Sequence, residues 1–304
     1  METWVLITIA AAFLQNVRSA MQKHLKGVMG TTGATFVRFG FGLPFAFLYL
    51  FLLWQVAGRP LPVPNGTFFL WAVVGGVAQI AATFLLVHLF SFRNFAVGTA
   101  YSRTEPAQAA LCGLIFLGEK ASQGTLVAIA ISVVGVMLIS VARTTLSART
   151  LVTSVFSRTA GIGLLSGTFF GLSAVAYRSA SLALAPSLPA PDYMMQASYT
   201  LGFVILLQTV VMLIWIVLRE RDELPRIAAA WKPAFVVGFV GASASFGWFM
   251  AMTLQQAAVV KVVAQVEMLF TFASSFFIFR EWINRLELLG CLLIVLGVVM
   301  LVLI

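Results

Sequence analysis

The sequence predicts an all-α integral membrane protein, with ten transmembrane helices arranged as two inverted repeats of five. Three observations predict this fold class. Of 304 residues, 61% are hydrophobic and 10% are charged, and the mean hydropathy of +1.01 is too high for a soluble chain of this length. Ten apolar runs approach the roughly 20 residues that cross a bilayer. The second half of the chain also repeats the first.

The ten apolar runs follow one another through short connections, which leave no room for a large soluble module. Their approximate bounds are residues 4–22, 32–54, 67–91, 95–117, 122–142, 160–182, 193–218, 234–255, 258–279 and 286–304. Glu2 precedes the first run and the positive charges follow it. We therefore expect this run to be a membrane span rather than a signal peptide.

The positive charges predict the orientation of the spans. Of the nineteen Lys and Arg residues, twelve lie in the odd-numbered connections between runs and two in the even-numbered ones. Because cytoplasmic loops are enriched in Lys and Arg, the odd-numbered connections are predicted to be cytoplasmic and both termini external. The net charge of +9 then reflects orientation in the cell (inner) membrane, as a multi-pass protein, rather than binding of nucleic acid.

Residues 1–145 and 158–304 repeat each other in a common register. Offsets of 162 and 160 pair two acids and a tripeptide, namely Glu105 with Glu267, Glu119 with Glu281, and Arg18-Ser19-Ala20 with Arg178-Ser179-Ala180. Each repeat holds five spans, and an odd number inverts the second repeat relative to the first. Inverted repeats are typical of transporters that bind substrate near the midplane, between the halves.

The fourth run carries the strongest functional signal, because Glu105 lies near its middle. A carboxylate at that depth is costly and marks a functional site by default. Pro106 cannot donate a hydrogen bond to the carbonyl of Ser102 and crowds it, which predicts a kinked helix. The alternative is a packing kink beside a protonated Glu105. Met268 stands where a second proline would be, so a broken helix is predicted only in the first half.

Two matching stretches resemble a known family. They are Tyr101-Ser-Arg-Thr-Glu-Pro through Gly118-Glu119-Lys120, and Val263-Ala-Gln-Val-Glu267 through Arg280-Glu281-Trp282. With ten runs in two halves, the chain is similar to drug/metabolite transporters of the EamA type over nearly its whole length. The resemblance implies a secondary carrier of small metabolites, often an exporter. It also implies a central cavity lined by the first, third, fourth, sixth, eighth and ninth helices.

The expected site joins the acids of the two halves with polar and aromatic neighbours. The candidate substrate-binding or coupling residues are Glu105, Glu267, Arg18, Tyr101, Gln79, Trp248 and Gln265, with Pro106 as the helix kink. Glu105 is expected to recognise a cationic or zwitterionic group or to carry a coupling proton, and Glu267 to be its less exposed counterpart. Arg18 is close enough in depth to reach Glu105; the alternative is that it snorkels to the cytoplasmic edge.

The other membrane charges receive structural interpretations. Arg38 is expected to anchor the second run at the interface and Lys261 to snorkel outward. Arg103 is expected to face away from Glu105 unless Pro106 distorts the turn. Glu119 and Glu281 end their spans, where a negative charge opposes the helix dipole, so each is expected in a turn or in the cap of the next helix. Cys112 and Cys291 are expected in the core, not in a disulfide or metal site.

The sequence therefore predicts a secondary active transporter for small metabolites such as amino acids or amines; the family resemblance implies export, and uptake is the alternative. It would work by alternating access, with proton coupling left open, as a monomer or homodimer in membrane lipid. The alternative is a lipid scramblase or a non-transporting membrane assembly factor. An enzyme is not expected, because there are only two histidines and neither an HExxH pair nor a Gly-X-Ser-X-Gly elbow. No cofactor is expected.

Overall fold

The computed structural model describes residues 2–89, 91–92, 101–142, 157–270 and 285–303, and these residues are mainly helical. The helices are α1 Thr3–Leu25, α2 Thr31–Gly40, α3 Leu43–Phe51, α4 Gly66–Leu89, α5 Glu105–Leu117, α6 Gln123–Ala142, α7 Arg158–Ala183, α8 Tyr193–Arg219, α9 Glu223–Ala229, α10 Trp231–Leu254, α11 Ala257–Val263 and α12 Arg285–Leu303. A π-helical turn, Leu52–Val56, continues α3.

Six helical segments are long and apolar enough to cross a membrane. They are Thr3–Gln22, Thr31–Val56, Gly66–Leu89, Arg158–Ser187, Tyr193–Arg219 and Trp231–Leu254. Three shorter apolar helices are Glu105–Leu117, Gln123–Ile139 and Leu288–Met300. Each of these nine segments falls on one of the apolar runs of the sequence. The described residues therefore form an all-helical bundle suited to cross the membrane several times.

Local chemistry explains where several helices begin and end. Asp192 caps the start of α8, where its carboxylate accepts hydrogen bonds from the backbone N–H groups of Met194 and Met195 at 3.1 and 3.2 Å. The same carboxylate forms an ion pair with Arg59 at 2.7 Å. Gly118 ends α5 with φ +64°, a left-handed conformation that glycine adopts without steric cost.

The two halves pack against each other through equivalent pairs of helices. In each half, the helix of the first run packs mainly against the helix of the third run in the other half, so that α1 lies on α10 and α7 lies on α4. The last helices of the two halves, α6 and α12, pack against each other. The two halves are therefore joined by equivalent helix pairs in both directions.

One glycine contact holds α10 against the junction between α2 and α3. A Cβ atom on Gly238 would collide with the backbone of Phe41. We therefore expect Gly238→Ala to lower the free energy of unfolding by about 1–3 kcal/mol, the usual cost of overpacking. Gly161→Ala in α7 is the matched control, because no atom lies within 4 Å of its added Cβ. Thermal denaturation in detergent measures both, and equal stabilities would contradict this close approach.

The first half breaks where proline predicts a break. Residues 101–102 are helical, residues 103–104 form a turn, and α5 begins at Glu105. The N–H of Thr104 bonds to the carbonyl of Tyr101 at 3.2 Å, three residues back instead of four. Pro106 then occupies the first turn of α5, where its missing N–H costs little. The break therefore separates two helical pieces immediately before Glu105.

The second half has the same break, so the prediction of a single broken helix was wrong. Helix α11 ends at Val263, residues 264–265 form a turn, and residues 266–270 are helical again. The N–H groups of Gln265, Glu267 and Met268 each bond to the carbonyl three residues back, at 2.9–3.0 Å. These tight turns interrupt the α-helical ladder without a proline. Residues 271–284 of the predicted ninth span lie outside the described residues.

Candidate functional site

A polar cavity lies beside the two helix breaks. It is lined from α1, α2, α4, α7, α10 and α11, from the start of α5, from Ser102 and Arg103 at the first break and from Glu267 just after the second. Its charged lining residues are Arg18, Arg38, Arg103, Glu105, Lys261 and Glu267. The space open to the centres of water molecules is about 50 Å³, and one water needs roughly 10–15 Å³ on this measure. The cavity has room for a few waters in this conformation and must widen to admit a metabolite.

Glu267 is held by a bidentate ion pair with Arg103. Nη1 and Nη2 of Arg103 donate to Oε2 and Oε1 of Glu267 at 3.1 and 3.2 Å. The glutamate is 4% exposed, whereas the arginine side chain is 32% exposed and faces the cavity. Two parallel charge-assisted hydrogen bonds fix the orientation of both groups.

Gln15 links this ion pair to Trp248. The side-chain amide of Gln15 donates to Oε2 of Glu267 at 3.4 Å. Its oxygen accepts a hydrogen bond from the indole N–H of Trp248 at 3.0 Å. The resulting chain joins α1, α10 and the second break through side chains that line the cavity. A displacement of any one of these elements would therefore strain or break the hydrogen bonds to the other two.

Glu105 is paired with Lys261 in the same cavity. The Lys261 Nζ atom lies 2.7 Å from Oε1 of Glu105, although the contact lacks hydrogen-bond angles. The same ammonium lies 5.1 Å from the centroid of the Trp248 ring, within the range of a cation–π interaction. Both acids are thus neutralised by a cation from the opposite half of the chain: Arg103 serves Glu267, and Lys261 serves Glu105. The cavity is built on reciprocal ion pairs between the halves.

Arg18 and Arg38 form the remaining charge of the cavity. Each is 4% exposed, and a Cβ on Gly241 would lie 3.3 Å from Cδ of Arg18 and 3.6 Å from Cγ of Arg38. Their stems therefore lie side by side against α10. Arg38 donates to the Thr83 hydroxyl at 3.0 Å. Nε and Nη1 of Arg18 have no hydrogen-bond partner among the described residues.

Gln79 belongs to a buried polar network at the wall of the cavity. Its oxygen lies 3.0 Å from the Tyr177 hydroxyl and accepts from Nε2 of Gln208, also at 3.0 Å. The Tyr177 ring packs against Phe249, with centroids 4.4 Å apart. The Tyr177 hydroxyl also lies 2.9 Å from the carbonyl oxygen of Gly75. These contacts hold Tyr177 between α4 and α10.

The structure brings most of the predicted site residues together. Glu105, Glu267, Arg18, Gln79 and Trp248 line the cavity. Pro106 and Gln265 line a small adjoining pocket that shares both acids, and Gln265 is buried with no hydrogen bond from its amide among the described residues. Tyr101 is buried but is not among the lining residues of either space.

Two interpretations of basic residues were wrong. Arg38 is a buried cavity residue rather than an interfacial anchor, and Lys261 pairs with Glu105 instead of snorkelling outward. Arg103 pairs with Glu267 rather than with Glu105, a partner that the sequence did not indicate. The physical reason is the same for all three residues. A membrane-embedded acid or cation needs a partner or a cavity, and the nearest ones lie on other helices. The sequence signal that could have indicated ion pairs is a basic residue within two helical turns of each acid in the same run, Arg103 before Glu105 and Lys261 before Glu267.

Glu119 lies in the turn between α5 and α6, where its N–H bonds to the carbonyl of Gly113 at 3.1 Å, but it does not cap the next helix. Ser122 caps α6, since its hydroxyl accepts from the N–H of Thr125 at 3.1 Å. Glu119 instead accepts a 2.7 Å hydrogen bond from Nε of Arg178. Nη1 of Arg178 donates to the carbonyls of Met252 and Gln255 at 2.6 and 2.7 Å. One arginine therefore ties the end of α5 to the end of α10. The counterpart acid Glu281 lies outside the described residues.

Comparisons with known proteins agree with this architecture. A family model described as the EamA-like transporter family matches residues 2–141 and 157–303. One solved crystal structure is 15% identical and aligns over 99% of this chain and 96% of its own, with a TM-score of 0.72; at this identity the likeness shows the fold alone. A comparison with curated proteins finds no match. Because the family model covers nearly the whole chain in two consecutive matches, the protein belongs to the EamA-like transporter family of membrane transporters.

Proposed function

We propose that the protein is a secondary active transporter that moves small polar metabolites through the central cavity by alternating access. The observation that carries this proposal is the reciprocal pairing of Glu105 with Lys261 and of Glu267 with Arg103. The cavity is lined by charged residues of both halves. A rotation of one half against the other would open the cavity to one side and then to the other.

The contacts of Arg178 with Glu119, Met252 and Gln255 close one end of this cavity. Arg178 joins Glu119 of the first half to the end of α10 in the second. Under the positive-inside rule this end of the cavity is external. In the same orientation both termini are external, and the ten spans form two halves of opposite orientation. The conformation is then closed to the outside, and the complementary state breaks the Arg178 contacts. We propose export as the working direction.

Glu105 is the proposed proton-coupling group. It lies in the cavity, its ion-pair partner is Lys261, and its side chain is 19% exposed. We expect Glu105→Gln to abolish the dependence of transport on a pH gradient, because the amide cannot exchange a proton. Asp222→Asn is the matched control, since Asp222 is exposed outside the spans. Flux in proteoliposomes with and without the gradient measures both, and an unchanged gradient response in Glu105→Gln would refute the coupling role.

A flux panel tests the proposed function as a whole. Purified protein in proteoliposomes is given labelled amino acids, amines and organic anions, and uptake is competed with the unlabelled compound. A transporter gives saturable, protein-dependent flux for at least one class. Absence of saturable flux for every class would overturn the proposal and favour the scramblase or assembly-factor alternative.

A further inference from the structure

We infer that the transported metabolite is an organic anion, whose carboxylate or phosphate group binds Arg18 and Arg38 in the central cavity. This inference rests on the proposed transport function and names its substrate class. It departs from the expectation that Glu105 recognises a cation. The evidence is the excess of positive charge in the cavity, the burial and unmet hydrogen-bond donors of Arg18, and the position of Arg38 beside it.

The cavity carries more positive than negative charge. Of its six charged lining residues, four are basic and two are acidic. Both acids are already paired, Glu105 with Lys261 and Glu267 with Arg103. Neither carboxylate is therefore available as a free counter-ion for a cationic substrate. The net charge of the described lining comes from the remaining two arginines.

Arg18 is a buried cation with donors to spare. It is 4% exposed, and both Nε and Nη1 are buried without a hydrogen-bond partner among the described residues. An arginine has five N–H donors in a planar fork that matches a carboxylate or phosphate. A buried charge with unmet donors is costly unless a ligand satisfies it. Glu267 is within electrostatic range of Arg18, but both of its oxygens are bound by Arg103.

Arg38 makes the site suited to a shared anion. Its stem lies beside that of Arg18 at Gly241, and the two positive charges act on each other. The Thr83 hydroxyl accepts a hydrogen bond from one of the five N–H groups of Arg38. The guanidinium carbon of Arg38 lies 5.3 Å from the centroid of the Phe39 ring. An anion between the two guanidinium groups would relieve their repulsion and accept hydrogen bonds from both.

The test uses full-length protein in detergent and chemically matched compounds. Thermal stabilisation is measured with succinate against succinamide, with glycerol 3-phosphate against glycerol, and with putrescine as the cation. We expect at least one anion to raise the Tm saturably, while its neutral analogue and putrescine do not. The first pair reports a carboxylate and the second a phosphate.

Variants identify the binding residues. Arg18→Gln and Arg38→Gln are each expected to weaken binding of the stabilising anion about tenfold or more, the effect of losing charge-assisted hydrogen bonds. Arg59→Gln is the control, because Arg59 pairs with Asp192 away from the cavity. Without ligand, Arg18→Gln should melt no lower than the parent, since it removes an unsatisfied buried charge. A purely structural arginine would give the opposite result.

The outcomes separate the substrate class from the transport function. If succinate and glycerol 3-phosphate fail to stabilise the protein, or if putrescine alone stabilises it, the anion inference is overturned while a transporter of another class remains. Unchanged anion affinity in both arginine variants also overturns it. Lack of saturable flux for all classes in proteoliposomes overturns the transport function itself.

Discussion

Glu267→Gln is expected to lower the free energy of unfolding by about 3 kcal/mol, because it leaves Arg103 without its carboxylate partner. The bidentate contact is lost, and the amide of Gln has only one oxygen to offer. Because Arg103 is 32% exposed and keeps part of its hydration, we expect a loss at the low end of the range for breaking a buried pair. Transport should fall with stability, since the ion pair forms part of the interface between the halves at the cavity. Unfolding in detergent by heat or denaturant measures the first effect.

The double variant distinguishes a broken ion pair from a general defect. Removing one charge of a buried pair is costly, whereas replacing both is often nearly neutral. We therefore expect Arg103→Gln to be destabilising alone and Glu267→Gln/Arg103→Gln to recover most of the loss. A double variant as unstable as the sum of the two singles would show that the residues act independently, which would contradict the proposed pair.

Arg178→Gln is expected to produce the second large effect. It removes the ion pair with Glu119 and the hydrogen bonds to the carbonyls of Met252 and Gln255 at the end of α10. A loss of roughly 2–4 kcal/mol follows from one charged pair and two charge-assisted bonds. Glu119→Gln should cost less, because the carbonyl contacts of Arg178 remain. Thermal unfolding of the two variants gives this ranking.

The same substitution should alter access to the cavity. Ser245 lines the cavity, so Ser245→Cys, in a chain whose Cys112 and Cys291 are replaced, reports its exposure to a membrane-impermeant thiol reagent. Arg178→Gln should raise the rate of modification from the outside. If Glu119→Gln proves the more damaging change, or if outside modification stays at the parent rate, Arg178 does not close this end.

The apolar pattern of the sequence predicts most of the bundle. Each long helix falls on a drawn run, because a span must be apolar over its length whatever its neighbours are. Glu105 and Glu267 were found for the complementary reason: a charge at mid-depth stands out against such a run. The offset of 162 further related them as counterparts, and both line one cavity.

What the sequence could not predict depends on contacts between helices. Arg38 was assigned to the interface by its place near the start of a long run, but that run is split at residues 41–42 into α2 and α3, and the arginine turns inward. The pairing of Lys261 with Glu105 joins residues 156 positions apart, which no local pattern encodes. The second break likewise lacks the proline that would have announced it.

The most direct measurement of the central claim is the accessibility of the Ser245→Cys thiol from each side of the membrane, in oriented vesicles of the chain whose Cys112 and Cys291 are replaced. Our account predicts that the thiol reacts with impermeant reagent added from either side, and that the transported metabolite slows both reactions. Modification from neither side, or from one side alone under every substrate and pH condition, would contradict a central cavity that opens alternately across the membrane.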